Sequence, residues 1–220
     1  TKSGAGLVTA GTLTADAATG IDLNTAVATL DASVTGTGDI VIDQAGAIDL
    51  ADVDTADGSI TVTASGQITA TDVATGGTVG EDISLTATVD GIEVVSVDAG
   101  AADVTLDAAT AITKSGAGLV TAGTLTADAA TGIDLNTAVA TLDASVTGTG
   151  DIFIDQAGAI DLADVDTANG AITVTAGGPI TATDVASLTD NDANDISLTT
   201  TAGGIVAGIV NAGAMGDVTL

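Results

Sequence analysis

The chain has 220 residues, a formal net charge of −28 and a single aromatic residue, Phe153. With 30 acidic residues against two lysines, no arginine and no histidine, it repels nucleic acid and anionic membranes, so neither is an expected partner. The absence of Cys excludes disulfides and thiolate metal sites, and every apolar run breaks before the roughly 18 residues that a membrane span needs.

The apolar residues are almost all Ala, Val, Ile and Leu. A compact domain of this size usually fills its centre with several large aromatic side chains, so a thin core of small, stackable residues is expected instead. The many Val, Ile and Thr residues, together with 29 Gly and one Pro, favour strands and tight turns over helices. The composition therefore predicts an all-β chain.

An internal repeat is the dominant feature of the sequence. Residues 1–40 recur unchanged as 113–152, and the match continues with scattered substitutions to Ala74 and Ala186. The second copy then gains length at 188–194, an insertion that must lie in a loop. We divide the chain into unit 1 (1–112) and a truncated unit 2 (113–220), and we expect an excerpt of a longer continuous array with open, uncapped ends.

A shorter period runs inside each unit, marked by an apolar-x-apolar strand signature. In chain order the signature begins at Ile21, Ile40, Ile60, Ile83 and Val104, and again at Ile133. The steps are 19, 20, 23, 21 and 29 residues. Alternation places the first and third side chains of each signature inward and the middle one outward.

A second strand follows a small turn within most steps, as at 47–50, 67–70 and 159–162. Two or three short strands per step of about 20 residues predict one coil of a parallel β-solenoid, or β-helix, stacked at about 4.8 Å. Five coils per unit would rise about 24 Å. The longest step is expected to carry an excursion at 111–118 that the pattern does not place.

Segments 38–42, 58–70 and 103–112 resemble the repeat body of filamentous-haemagglutinin-type giant bacterial exoproteins, and the resemblance extends over the whole chain. It implies a right-handed parallel β-helix that is exported to the extracellular, bacterial cell surface. It also implies a role in adhesion, aggregation or fibre formation.

The leading hypothesis is a structural or adhesive rod whose partners are further copies of the repeat, laterally associated rods and an unidentified receptor. One alternative is a pair of tandem, calcium-rigidified immunoglobulin-like adhesin domains. A third is a β-helix enzyme that acts on polysaccharides. The residue composition disfavours catalysis, because His and Cys are absent. The two lysines, Lys2 and Lys114, occupy equivalent positions in the two units, and the carboxylates are spread over every coil. No catalytic or cofactor-binding residue is assigned.

Calcium is the one cofactor that the sequence suggests. Asp190, Asp192 and Asn194 carry oxygen ligands at alternate positions of the inserted loop and are the candidate metal ligands. The loop departs from the EF-hand pattern, since Asp195 stands at the position of the turn glycine and no Glu follows at the twelfth position. A solvated loop of turn-forming residues is the alternative.

Two further predictions concern side chains that point outward. Asp82 and Asp103 fall at matching places on successive coils, where like charges repel unless an ion or solvent intervenes. Phe153 replaces Val41 at an outward position and is a candidate lateral contact.

Overall fold

The computed structural model describes residues 6–220, and this range contains strands and turns but no helix, which confirms the all-β prediction. Residues 1–5, including Lys2, lie outside the described residues. The strands are β1 Leu7–Ala17, β2 Ile21–Thr37, β3 Ile40–Gln44, β4 Ile48–Asp57, β5 Ile60–Ala64, β6 Ile68–Ala70, β7 Val73–Ala74, β8 Ile83–Ala87, β9 Ile92–Asp98, β10 Val104–Ala108, β11 Ala111–Ala129, β12 Gly132–Thr149, β13 Ile152–Gln156, β14 Ile160–Asn169, β15 Ile172–Ala176, β16 Ile180–Ser187, β17 Ile196–Thr200, β18 Ile205–Asn211 and β19 Val218–Thr219.

The strands stack in parallel into a single β-solenoid of about 11 turns, with coils about 20 residues apart. Ile40 pairs with Ile60, and Ile60 pairs with Ile83, so the predicted signature residues lie on adjacent coils of one cylinder. All three side chains are fully buried. The described strands therefore do not form the two antiparallel sandwiches that immunoglobulin-like domains would require. The expected right-handed coiling stays a prediction.

Each regular coil combines a five-residue strand with a longer, bent one. In unit 1, β3 is followed by a turn at Ala45 and Gly46, and then by β4. The bend in β4 comes from one extra residue, Ala51, because Leu50 pairs with Leu30 whereas Asp52 pairs with Asp31. This bulge turns the strand around the core and returns the chain to the start of the next coil.

The two repeat units do not occupy equivalent sides of the solenoid. One side, here called the Ile40 side, is a stack of inward residues that in unit 1 begins in β2 and continues through the five-residue strands β3, β5, β8 and β10. It comprises Ile21, Ile40, Ile60, Ile83, Val104, Leu125, Leu142, Leu162 and Ala182. The other, the Ile48 side, comprises Ile48, Ile68, Ile92, Ile112, Ile133, Ile152, Ile172 and Ile196. Ile21 and its sequence equivalent Ile133 therefore lie on different sides.

A unit consequently covers five and a half coils, and the expectation of five whole coils was wrong. From Ile21 to Ile40 is one coil, from Ile40 to Ile48 is about half a coil, and four more coils on the Ile48 side reach Ile133. At the strand spacing of about 4.8 Å, one unit rises about 26 Å. The unplaced excursion is a bulge at 114–118, where the register between β11 and β12 shifts between Thr113 and Leu119.

The buried side chain of Gln44 forms hydrogen bonds that connect neighbouring coils at one turn. The Gln44 side chain is 5 % exposed, and its Nε2 donates to the carbonyl oxygens of Val27 at 2.7 Å and Ala47 at 2.9 Å. Its Oε1 accepts from the Thr25 hydroxyl at 2.7 Å and from the Val27 N–H at 3.2 Å. The same four bonds recur around Gln156 in unit 2.

We expect Gln44→Leu to lower the free energy of unfolding by about 2 kcal/mol, because it leaves the Thr25 hydroxyl and the Val27 peptide group buried without partners. Denaturant titration measures the change. Gln67→Leu is the matched control, since Gln67 is exposed and is replaced by Pro179 in unit 2. Equal losses in the two variants would show that the buried amide is dispensable.

The half-coil offset predicts where equivalent residues of the two units lie. Thr61 and its equivalent Thr173 should project from opposite sides, whereas Thr61 and Asp164 lie on one side, five coils apart. Spin labels at Thr61 and Asp164 should lie about 24 Å apart along the axis, and labels at Thr61 and Thr173 should be clearly farther apart, because the sheets themselves lie about 10 Å apart. Equal distances would contradict the offset.

Candidate functional site

The three predicted calcium ligands, Asp190, Asp192 and Asn194, have different surroundings in the structure. They lie in the loop between β16 and β17, which confirms the predicted position of the insertion. Asp190 Oδ1 accepts from the backbone N–H groups of Ala214 at 2.9 Å and Met215 at 2.8 Å. Asp192 is exposed at the tip of the loop.

Asn194, by contrast, is 2 % exposed and holds the base of the loop. Its Nδ2 donates to the Thr189 carbonyl at 2.7 Å and to Asn169 Oδ1 at 3.2 Å. Within residues 6–220, no group of three or more acidic, His or Cys side chains is arranged to hold a metal ion. Calcium binding by this loop stays a prediction.

A group of six carboxylates on the described surface is here called the acidic stripe. It lies on the outward face of the Ile40 side and consists of Asp107, Asp128, Asp143, Asp164, Asp166 and Asp184. Asp107 pairs directly with Asp128, and Asp143 pairs directly with Asp164. Parallel in-register stacking therefore puts like charges one strand apart, which is unfavourable.

The pKa values of three stripe residues are raised by burial and by the neighbouring carboxylates. Desolvation, followed by repulsion from Asp107, raises the pKa of Asp128 above its ordinary value of 3.8. Desolvation and the Asp164 charge raise the pKa of Asp143. Desolvation likewise raises the pKa of Asp166, and a hydrogen bond with Ser145 opposes the rise. Asp128, Asp143 and Asp166 thus hold protons more tightly in the folded than in the unfolded chain.

A second set of aspartates is here called the corner aspartates. Their charge is stabilised, because each accepts a hydrogen bond from a backbone N–H of the next coil. Their Oδ1 atoms accept N–H groups at 2.8–3.1 Å, in the pairs Asp39 with Ser59, Asp82 with Asp103, Asp103 with Thr124, Asp151 with Ala171 and Asp195 with Asp217. The repulsion expected between Asp82 and Asp103 is thus offset by the Asp103 N–H. The recurring Asp before a strand signature was the sequence signal for this role.

Lys114, the one lysine of residues 6–220, stands beside the chain's single aromatic residue. Its Nζ forms an ion pair with Asp134 Oδ1 on the next coil. Phe153 is 45 % exposed, as its outward position predicted. Together with Asp155 and Thr173, these residues line a shallow recess of about 200 Å³. A lateral contact through Phe153 stays a prediction.

Comparison of the chain with protein families, curated proteins and solved structures finds no match. The fold itself is that of a β-helix repeat protein. Residues 6–220 include no helix long and apolar enough to cross a membrane.

We expect Asp166→Asn to raise the free energy of unfolding at neutral pH, by on the order of 0.5 kcal/mol, because it removes a partly desolvated charge that Asp164, Asp143 and Asp184 repel. The raised pKa values give the sign. The contribution of these groups to stability is fully present below the ordinary aspartate value of 3.8 and is lost as pH rises through the raised folded-state pKa. The gain of the variant should therefore vanish in acid.

Thermal unfolding of both proteins between pH 3 and 7 checks this dependence, with Asp192→Asn as a control that removes an exposed charge outside the stripe. A gain of the same size in the control would assign the effect to net charge, and the stripe would then have no special role.

Proposed function

We propose that the chain is part of a secreted bacterial surface fibre, in which tandem solenoid units form a stiff rod for cell-cell or cell-surface attachment. The observation that carries the proposal is the unbroken stack across the unit boundary. Ile112, the last residue of unit 1, pairs with Ile92 below and Ile133 above, and all three are 1 % exposed or less. A stack that continues across the boundary makes length additive, which is what a rod requires.

The charge distribution supports a spacer and attachment role. The acidic residues follow the whole length of the solenoid, and the stripe lies on an open outward face, where its charge helps to keep a long rod soluble. The proposal assigns no catalysis to the rod. Its partners are further copies of the unit in a longer chain, rods associated side by side and a receptor on the opposing cell.

The finer assignment is to the repeat region of filamentous-haemagglutinin-type exoproteins. It is supported by the resemblance of the strand segments and by the parallel solenoid fold. The half-coil offset adds a geometric feature that suits attachment. Equivalent surfaces of successive units face opposite sides about 26 Å apart along the axis, so a long array would present each surface to both sides.

Length provides the first test of the proposed rod. Chains that carry one or two additional copies of unit 1 (1–112) in front of the 220-residue sequence should lengthen by about 26 Å per added unit at constant diameter. Small-angle scattering and negative-stain images measure both quantities. Particles that widen or bend into separate beads would contradict a continuous rod.

Attachment is tested separately with beads coated with the folded chain. The proposal expects these beads to bind cells, whereas beads coated with an unrelated protein of similar acidity and size should not. If rods lengthen as expected but the coated beads do not attach, the chain is a structural spacer without adhesive function.

A further inference from the structure

The recess beside Phe153 lies on the outward face of the Ile48 side, in unit 2. Alternation along β13 points Phe153 and Asp155 outward on the same face, two positions and about 6.6 Å apart along the strand. On the next coil, Thr173 pairs with Phe153, and Thr175 pairs with Asp155. The recess therefore presents an aromatic ring, a carboxylate and two hydroxyl groups together.

The charge of this recess is negative. Lys114 Nζ is already engaged by Asp134 Oδ1, so these two groups neutralise each other. The Asp155 carboxylate, by contrast, is exposed and forms no ion pair or hydrogen bond with the described residues. Its charge is therefore open to a cation from outside, and the net charge of −28 attracts cations to the whole surface.

The aromatic ring adds a second attraction for a cation. Phe153 is 45 % exposed, so much of the ring is open to a ligand. The negative face of an aromatic ring attracts a cation that lies within about 6 Å of its centre. Because the ring and the Asp155 carboxylate stand side by side on one strand, both favour the same kind of ligand, an organic cation.

The polar groups of the recess favour a cation that donates several hydrogen bonds. The Asp155 carboxylate and the hydroxyl groups of Thr173 and Thr175 all carry acceptor oxygens. A quaternary ammonium group has no N–H to donate, whereas the planar guanidinium of arginine has five N–H donors and also stacks on aromatic rings. The sequence contains no arginine, so the guanidinium has to come from a partner outside it.

Unit 1 offers a natural comparison, because it keeps the polar groups and lacks the ring. Its polar side chains match those of unit 2, at Asp43, Thr61 and Thr63. Val41 stands where unit 2 has Phe153. The ring therefore distinguishes the recess of unit 2. The variant Phe153→Val is expected to fold, since the chain itself carries Val at the equivalent position.

We propose that the recess at Phe153 is a docking site for an arginine side chain of a protein partner. The guanidinium stacks on the Phe153 ring and donates to the Asp155 carboxylate, and Thr173 and Thr175 supply further acceptors beside it. The inference does not rest on the proposed attachment role. A spacer without adhesive function can carry this site, and a rod that attaches cells can lack it.

Phe153 itself provides the readout, because it is the single aromatic residue of the chain and its ring protons stand alone in the aromatic region of a ¹H NMR spectrum. The 220-residue chain is titrated with Nα-acetyl-arginine methylamide at constant ionic strength. The ring signals should shift and reach saturation. The citrulline analogue has the same shape without the charge, and it should bind about tenfold more weakly.

Two variants locate the site, with the backbone amide signals of β13 and β15 as the readout. Phe153→Val and Asp155→Asn should each raise the dissociation constant of the arginine probe about threefold. Asp107→Asn is the matched control, since it removes one exposed charge of the acidic stripe on the Ile40 side. It should leave the dissociation constant unchanged.

Equal affinity for the arginine and citrulline probes would overturn the proposal, because the charge would then play no part. An effect of Asp107→Asn as large as that of Asp155→Asn would also overturn it, since net charge alone would explain the binding. A methyl glucoside that shifts the Phe153 ring signals at a lower concentration than the arginine probe would make the recess a sugar site instead.

Discussion

The fold depends on inward aliphatic side chains that stack in register from coil to coil. Each coil lies one hydrogen-bonded strand spacing above the last, so an inward residue has about 4.8 Å of axial space and packs against its own kind. Ile, Leu, Val and Ala fill that space, whereas an aromatic ring would disturb the layers above and below it. The corners are equally tight: at Gly38, with a φ of 146°, an added Cβ would lie 2.5 Å from the Thr19 carbonyl oxygen. Close coil stacking thus explains both the missing aromatics and the abundant glycine.

The stacking tolerates a repeat that is not a whole number of coils. Ile112 and Ile133 lie in the same stack on the Ile48 side although they belong to different units. The stack requires only an aliphatic side chain at each inward position, and both residues provide one. The bulge at 114–118 shifts the register between Thr113 and Leu119 without interrupting the pairing of β11 with β12. A rod built from such units alternates its sides, so charged and hydroxyl-bearing surfaces that repeat in sequence face opposite directions in space.

The chain uses aspartate in two distinct ways, and the environment decides which. Corner aspartates such as Asp151 accept a backbone N–H, which offsets their charge. Asp128 of the stripe is partly desolvated and faces the Asp107 carboxylate, so it holds a proton more tightly. The net charge of −28 therefore includes carboxylates that stabilise the fold and carboxylates that destabilise it.

The sequence by itself determined the coil: period-two alternation identified the inward positions, such as Ile40, Ile60 and Ile83, and the outward position of Phe153. It also placed the insertion in a loop, because an added residue would break an in-register stack. Only the tertiary structure decided the half-coil offset, since a sequence period counts residues and not the angle that they turn about the axis. The same holds for Gln44, for the corner aspartates and for Asp190. Their partners lie one coil away or across a turn, and the distance that fixes them exists only once the coils are stacked.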